Sequence, residues 1–333
     1  MLIKAIIIRL FYLALGFFIH HAVQDYDLSS SNSAFVKWDS VYFMDIAKNG
    51  YRFEHELAFY PGLPVLIRAL GLVPYAELVI PTLFYVLNTI VLYYLTLSVG
   101  YDKSFARRAV NVFIMSPATV FFTAPYTESP FCFFSFLGML LWQKEMYLAS
   151  SLSFFLASFF RSNGIVNAGF FLYNMIRLNY RAKRKASVLL FVVPIIPSVL
   201  FAVYANKRFC PGLEWCGSSP YAYVQKRYWN VGFMNSFRAE NIPNILLALP
   251  IIVMSTNYVF RTKSLILLPY VVQFAFMIVT GVFFMHIQVI TRFLLAGSPC
   301  SYWAIASSKS ARAYCIAYSV IGTALFVNFL PWT

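Results

Sequence analysis

The sequence predicts an all-α polytopic membrane protein, on three observations. Of its 333 residues 60% are hydrophobic, 19% aromatic and only 11% charged, with a mean hydropathy of +0.69; soluble domains carry roughly twice that charged fraction. Runs such as 78–100 and 264–284 hold no charged side chain and match the roughly 20 residues that a spanning helix needs. The basic residues behind the formal net charge of +14 punctuate the apolar runs at alternate turns, as cytosolic loops do. They do not gather on a soluble module, which argues against nucleic acid as a partner.

In chain order the expected spans are 4–20, 78–100, 109–124, 130–142, 146–160, 164–176, 187–205, 242–260, 264–284, 293–306 and 313–330, about 11 in all within a range of about 9–13. Lys4 and Arg9 open the first run, and the "HHAVQD" that follows lacks a small-residue cleavage site, so the run reads as an uncleaved anchor with a cytosolic N-terminus. The runs 130–142, 164–176 and 293–306 are shorter than a full crossing, which tilting, breaks or burial among neighbours accommodates. Clusters at Lys4/Arg9, 102–108, Lys144, 177–185, Arg261/Lys263 and 307–312 mark the cytosolic turns, with Lys207, Arg208, Lys226 and Arg227 as the main exceptions in a far-side loop. Asp102 and Glu145 are then the only carboxylates on the cytosolic side, and the other Asp and Glu residues lie on the far side. Residues 1–333 form one integral membrane domain, with long far-side loops at 21–77 and 206–241.

The first long loop holds "FVKWDSVYFMDIAKNGYRFEHELAFYPGLP", residues 35–64, where charges alternate with aromatic rings. "VKWDSVYFMDIAKNG" reads as a short amphipathic helix with Asp39 near its N-cap and Gly50 as its stop. Trp38, Tyr42, Asp45 and Asn49 share one face. Asp39 and Asp45 lie some 120° apart on an ideal helix, so they do not form a paired-carboxylate site. The next segment, "LAFYPGLPVLIRALGLVPY", is interrupted by prolines and Arg68 and reads as lying at the membrane interface.

The second loop contains Cys210 and Cys216, which pair if that compartment is oxidising and stay free if it is reducing. Three shorter features put ionisable groups at far-side span ends: Glu128 in "TAPYTESPF", Arg161 in "FFRSNG", and His286, Gln288 and Arg292 in "HIQVITR". Such groups near membrane depth face a cavity or a partner. The D-x-D spelling at Asp25–Asp27 stands alone, so no metal site is expected.

The blocks "WDSVYFMDIAKNGYRFEHELAFYPGLP", "TAPYTESPF", "RSNG", "PGLEWC", "YAYVQKRYWNVGF" and "IPNILLALP" resemble, in matching order, the signature segments of the GPI mannosyltransferase 2 (PIG-V) family. The likeness runs from about Phe35 to Arg292. It implies a GT-C-type glycosyltransferase fold in the endoplasmic reticulum membrane, with its active site in the lumen. It further implies an activity that adds the second, α-1,6-linked mannose to a GPI precursor, with dolichol-phosphate mannose as donor substrate and no cofactor or obligatory metal. Its partners are then the lipid-linked donor, the GPI-precursor acceptor and the membrane; whether a small membrane subunit joins them stays open.

A β-linked donor and an α-linked product imply inversion by direct displacement, with a carboxylate from the first luminal loop as base. Asp39 fits that place, against the alternative that it only caps its helix. Asp45 is the second candidate base, against a solvated stripe with Lys48. Glu128 orients the acceptor or forms an ion pair with Arg161 or Arg292. Arg161 and Arg292 are the candidate cations for the departing phosphate, ahead of Arg52, His55 and Arg68, against snorkelling to headgroups. Trp38, Tyr42, Tyr126, Tyr228 and Trp229 are ring candidates for sugar stacking, and Gln288 is a further candidate contact. The competing functions are a lipid or sugar transporter or scramblase, which calls for inverted repeats that the sequence does not show, and a non-catalytic membrane scaffold subunit.

Overall fold

The computed structural model describes residues 1–23, 33–71, 75–177, 181–308 and 311–330, and the regular elements among them are all helical, with no strand. Helix α1 (Leu2–Ala22) leads to the first loop, which carries α2 (Asp39–Asn49) and α3 (Gly62–Ala69). Then come α4 (Ala76–Ser98), α5 (Lys103–Ile114), α6 (Glu128–Gln143) and α7 (Tyr147–Phe160). The remaining helices are α8 (Gly169–Arg177), α9 (Arg181–Val192), α10 (Ile196–Phe209), α11 (Pro220–Trp229), α12 (Ile242–Arg261), α13 (Leu268–Phe284), α14 (Ile290–Gly297), α15 (Pro299–Ala306) and α16 (Ala311–Val327).

The centre is α6, packed between α4 and α7. Its sequence is short for a crossing, yet Phe131, Cys132, Phe136 and Met139 are buried because neighbours cover it on several sides. Small residues let the backbones approach: Ser150 Oγ donates to the Gly138 carbonyl at 2.8 Å and Ser153 Oγ to that of Phe134 at 2.7 Å. This is how helices associate where lipid supplies no hydrophobic drive between them.

Among the described residues, Leu2–Ala22, Glu77–Ser98, Ala186–Phe209 and Ala239–Arg261 are the four helical runs long and apolar enough to cross a bilayer; Tyr147–Phe160, Leu268–Phe284, Ile287–Gly297 and Ala311–Val327 are shorter apolar helices. The expected number of 11 spans gains no support as a number, because four expected spans are not single α-helices; one of them, 187–205, passes through a 3₁₀ turn at Val193–Ile195 between α9 and α10. The run 109–124 divides into α5 and a 3₁₀ turn at Thr119–Phe122, separated at Ser116–Pro117. Asp102 caps α5 by accepting the Phe105 N–H at 2.6 Å. The run 164–176 begins as 3₁₀ helix at Ser162–Ala168 before α8. The run 293–306 breaks at Ser298, where Pro299 has no N–H to continue the ladder.

Arg9 departs from its reading as a cytosolic flank. It is 1% exposed inside α1, and its guanidinium donates to the carbonyls of Phe122 and Thr123, both at 3.1 Å, and to Thr82 Oγ1 at 3.2 Å. Those carbonyls close the 3₁₀ turn, whose end has few partners of its own. A buried arginine with several donors can satisfy them where water is excluded. The turn it holds leads straight into Tyr126 and Glu128.

Candidate functional site

The site is built on the first loop. Helix α2 buries Phe43, Ile46 and Ala47 and stops at Gly50, whose φ of +74° suits a residue without a Cβ. Arg68 Nε, on α3, donates to the Ala47 carbonyl at 2.8 Å, so α3 satisfies an acceptor left open at the end of α2. Gly62 lets α3 lie on α7, since a Cβ there would stand 2.7 Å from the Phe159 carbonyl oxygen. Glu56, 2% exposed, fixes the turn between by accepting the Arg52 and Phe53 N–H groups at 2.5 and 3.0 Å. These contacts tie α2, the turn after it and α3 together and seat α3 on α7.

Asp39 is the first residue of α2, and the residue before it, Trp38, holds the cap position with no side-chain bond. The helix-cap reading of Asp39 is therefore corrected: its carboxylate points elsewhere. Arg292 Nη1, at the start of α14, reaches Asp39 Oδ2 at 2.8 Å and Glu128 Oε1 at 3.4 Å. Arg161 Nη1, at the end of α7, reaches the same Glu128 oxygen at 2.5 Å. Segments far apart in sequence thus join in one chain of alternating charge, Asp39–Arg292–Glu128–Arg161. Thr127 Oγ1 and Asn163 Oδ1 accept further bonds from Arg161 at 3.1 and 3.3 Å, and the Arg292 guanidinium lies 4.9 Å from the Phe121 ring centroid.

Exposure grades along that chain. The Glu128 side chain is fully buried at 0%, Arg292 and Arg161 keep 14% and 17%, and Asp39 keeps 27%. The interior carboxylate joins two cations, while the outer one stands where a substrate hydroxyl can approach. Trp38 has φ +56° and ψ −130°, in a Lys37–Ser40 turn closed by an N–H···O bond of 3.2 Å. That is the conformation for which turns use glycine. A tryptophan there stores about 1–3 kcal/mol of strain, immediately beside Asp39.

The other predicted residues form a second group on a different face of α2. Asp45 accepts from Arg52 Nη2 at 2.7 Å and Asn49 Nδ2 at 2.6 Å, so its partners are these and not Lys48. Tyr42 stacks on Phe59 with centroids 4.6 Å apart, and His55 meets Tyr42 edge-on at 5.7 Å. Val41, Tyr42, Asp45, Phe53, His55 and Glu56 line an open cleft of about 260 Å³. Neither Asp39 nor its arginines border this cleft. The ion-pair chain is the stronger candidate site, because ionisable groups gathered at the ends of apolar helices mark functional sites more strongly than a shallow hollow does. Trp38 packs against Phe329 at 5.3 Å. Gln288 lies on the turn before α14, where its N–H donates to His286 Nδ1 at 3.4 Å.

The second loop closes over the first. Cys210 and Cys216 are joined by a disulfide, which brackets Trp215; that indole, 1% exposed, donates to Glu54 Oε2 at 3.1 Å. The Tyr228 hydroxyl donates to the other Glu54 oxygen, an interaction that raises the Tyr228 pKa above its ordinary value, and Trp229 meets Phe59 edge-on at 5.6 Å. Tyr126 is 1% exposed and so is withdrawn from the rings that can face a sugar. The sequence reading missed its hydroxyl, along with Thr127 and Asn163; their nearness to Glu128 and Arg161 in "TAPYTESPF" and "RSNG" was the available signal. Among the described residues no three His, Cys, Asp or Glu side chains gather as metal ligands. Asp25 and Asp27 lie outside the described residues.

The sequence profile of the family described as "Mannosyltransferase (PIG-V)" matches residues 8–268 and 260–333. The chain belongs to this family. This PIG-V mannosyltransferase is 34% identical to GPI mannosyltransferase 2 of Yarrowia lipolytica, over 92% of the chain and 89% of that protein. It is 31% identical to GPI mannosyltransferase 2 of Candida albicans, over 89% of the chain and 84% of that protein. It is 31% identical to the rat protein named GPI alpha-1,6-mannosyltransferase 2, over 80% of the chain and 71% of that protein. No solved structure matches the PIG-V chain.

Proposed function

We propose that this PIG-V chain adds the second mannose, in α-1,6 linkage, to the GPI-anchor precursor, using dolichol-phosphate mannose in the lumen of the endoplasmic reticulum. The linkage follows the name of the rat relative. The donor, the luminal side and the GT-C-type fold follow the resemblance. The observation that carries the mechanism is the Asp39–Arg292–Glu128–Arg161 chain, one partly exposed carboxylate beside cations at the ends of apolar helices.

In the transfer, the acceptor hydroxyl oxygen forms a bond to C1 of the donor mannose while the bond from C1 to the phosphate oxygen breaks. The bonding pair leaves with dolichyl phosphate, and the hydroxyl proton passes to Asp39. Inversion at C1 turns the β-linked donor into an α-linked product. A positioned base of this kind contributes roughly 10²- to 10⁴-fold. Arg292 and Arg161 stabilise the charge that develops on the phosphate, since a guanidinium meets two phosphate oxygens in a plane. Arg292 already neutralises Asp39, so a phosphate that draws Arg292 towards itself also frees the base. Glu128 holds both cations in place.

The test is complementation. Cells lacking the activity accumulate a one-mannose GPI lipid, and expression of the wild-type chain should convert it to the two-mannose form. Persistence of the one-mannose lipid with abundant, membrane-localised chain, in cells that carry any required subunit, would contradict the assignment.

A further inference from the structure

We infer that Tyr126 is a positioning residue for the transfer: its buried hydroxyl holds the first N–H of α2 and so fixes the backbone that carries the Asp39 carboxylate. The inference rests on the reading of Asp39 as the base. The first N–H groups of a helix need acceptors, and these usually come from the side chain before the helix or from an acidic residue in its first turn. Here the preceding side chain is an indole, which accepts nothing, and the Asp39 carboxylate is turned to Arg292 at 2.8 Å. The acceptor comes from 87 residues along the chain: Tyr126 Oη takes the Asp39 N–H at 3.0 Å. Its own proton is directed to the Lys37 carbonyl at 3.4 Å. The two bonds flank Trp38, so one phenol spans the turn that the backbone at φ +56° would otherwise relax.

The ring cannot drift from that place. It is 1% exposed and packs edge-on against Phe121 at 5.3 Å, Phe326 at 5.7 Å and Phe43 at 6.2 Å. The same ring lies 5.5 Å from the Arg292 guanidinium. One side chain therefore fixes both the backbone under the base and the cation beside it. A tyrosine present only to fill space would not need its hydroxyl, and phenylalanine would serve as well. With phenylalanine at 126, the Asp39 N–H and the Lys37 carbonyl lose their shared partner, and the strained turn that sets the Asp39 carboxylate beside Arg292 is free to relax.

The experiment compares full-length wild type, Tyr126→Phe, Tyr126→Phe with Trp38→Gly, and Asp39→Asn in microsomes from cells lacking the activity. Rates are normalised to folded protein, with one-mannose acceptor lipid and dolichol-phosphate mannose as substrates. Tyr126→Phe should lower kcat between about 10- and 100-fold, the range for a displaced catalytic group, with the donor KM within about twofold of wild type. Glycine at 38 accepts the positive φ without the latch, so the double variant should recover at least about threefold of that kcat. Tyr126→Phe at wild-type kcat, beside an inactive Asp39→Asn, would overturn the latch and leave the base reading standing. A loss of kcat and KM together with no recovery in the double variant would also overturn it. An active Asp39→Asn would remove the base reading and this inference with it.

Discussion

Replacing Glu128 with glutamine removes the carboxylate that Arg161 and Arg292 share, at 2.5 and 3.4 Å. Arg292 keeps Asp39 at 2.8 Å, whereas Arg161 keeps neutral partners, the oxygens of Thr127 and Asn163 at 3.1 and 3.3 Å and the Phe131 ring at 5.7 Å. One cation is thus left without a counter-charge. Breaking a buried pair from one side costs about 3–5 kcal/mol. The residual 17% and 14% exposure of the arginines places this case at the lower end, near about 3 kcal/mol, or about 100-fold in the folded ratio. The double variant Glu128→Gln, Arg161→Gln removes both charges and should recover about 2 kcal/mol of that loss, as coupled neighbours do. The assay is a heating series on detergent-solubilised fluorescent fusions, read as the fraction that stays monodisperse on size exclusion. Glu128→Gln melting with wild type, or a double variant no better than the single one, would refute the ion-pair account.

Three further outcomes follow from the same contacts. Gly62→Ala puts a Cβ 2.7 Å from the Phe159 oxygen and 2.8 Å from the Phe160 Cα, so it should cost about 1–3 kcal/mol and lower activity by tilting α3 and the first loop, read as melting midpoint and rate. Cys132, Cys300 and Cys315 are buried and Cys210–Cys216 are joined, so a polymeric maleimide should label folded protein only after reduction, and Cys210→Ser, Cys216→Ser should abolish that labelling. Burial lowers the His286 pKa below its ordinary 6.5, so the folded state favours the neutral ring; its stability is intact above the ordinary value and is lost as pH falls from there towards the lowered one. Melting midpoints at pH 7.5 and 5.5 should show that loss, and His286→Gln should diminish it.

Local features of the first loop were readable from the sequence. Gly50 ends α2, Phe43 and Ile46 form its buried face, and the proline-broken segment after it yields the short α3. The cap reading of Asp39 failed because two facts outside local spacing decide it: the left-handed backbone at Trp38 and an acceptor supplied by Tyr126. Composition identified the apolar runs but not their continuity. The run at 109–124 looked continuous by hydropathy, while Pro117 marks where it breaks; the short run at 293–306 allowed for a break, which falls at Ser298–Pro299. Arg9 looked like a cytosolic flank because a basic residue near an N-terminus usually is one, and nothing in its neighbours announces the carbonyls of Phe122 and Thr123.

The candidate site divides the same way. Asp39, Glu128, Arg161 and Arg292 stood out one by one as ionisable groups at span ends, but their pairing is between segments as far as 253 residues apart, which no periodicity reports. Tyr126 and Asn163 carried only the weak signal of standing two residues from Glu128 and Arg161, because a tyrosine and an asparagine near an apolar run are common. They gain meaning only from the atoms that they touch.

The most direct measurement of the central claim is the rate of mannose transfer by purified, folded Asp39→Asn, with separate assays of donor binding. The substitution keeps the size of the side chain and removes its capacity to take a proton. The account predicts a loss of at least about 100-fold in kcat with donor binding retained. Transfer by Asp39→Asn at the wild-type rate would contradict it.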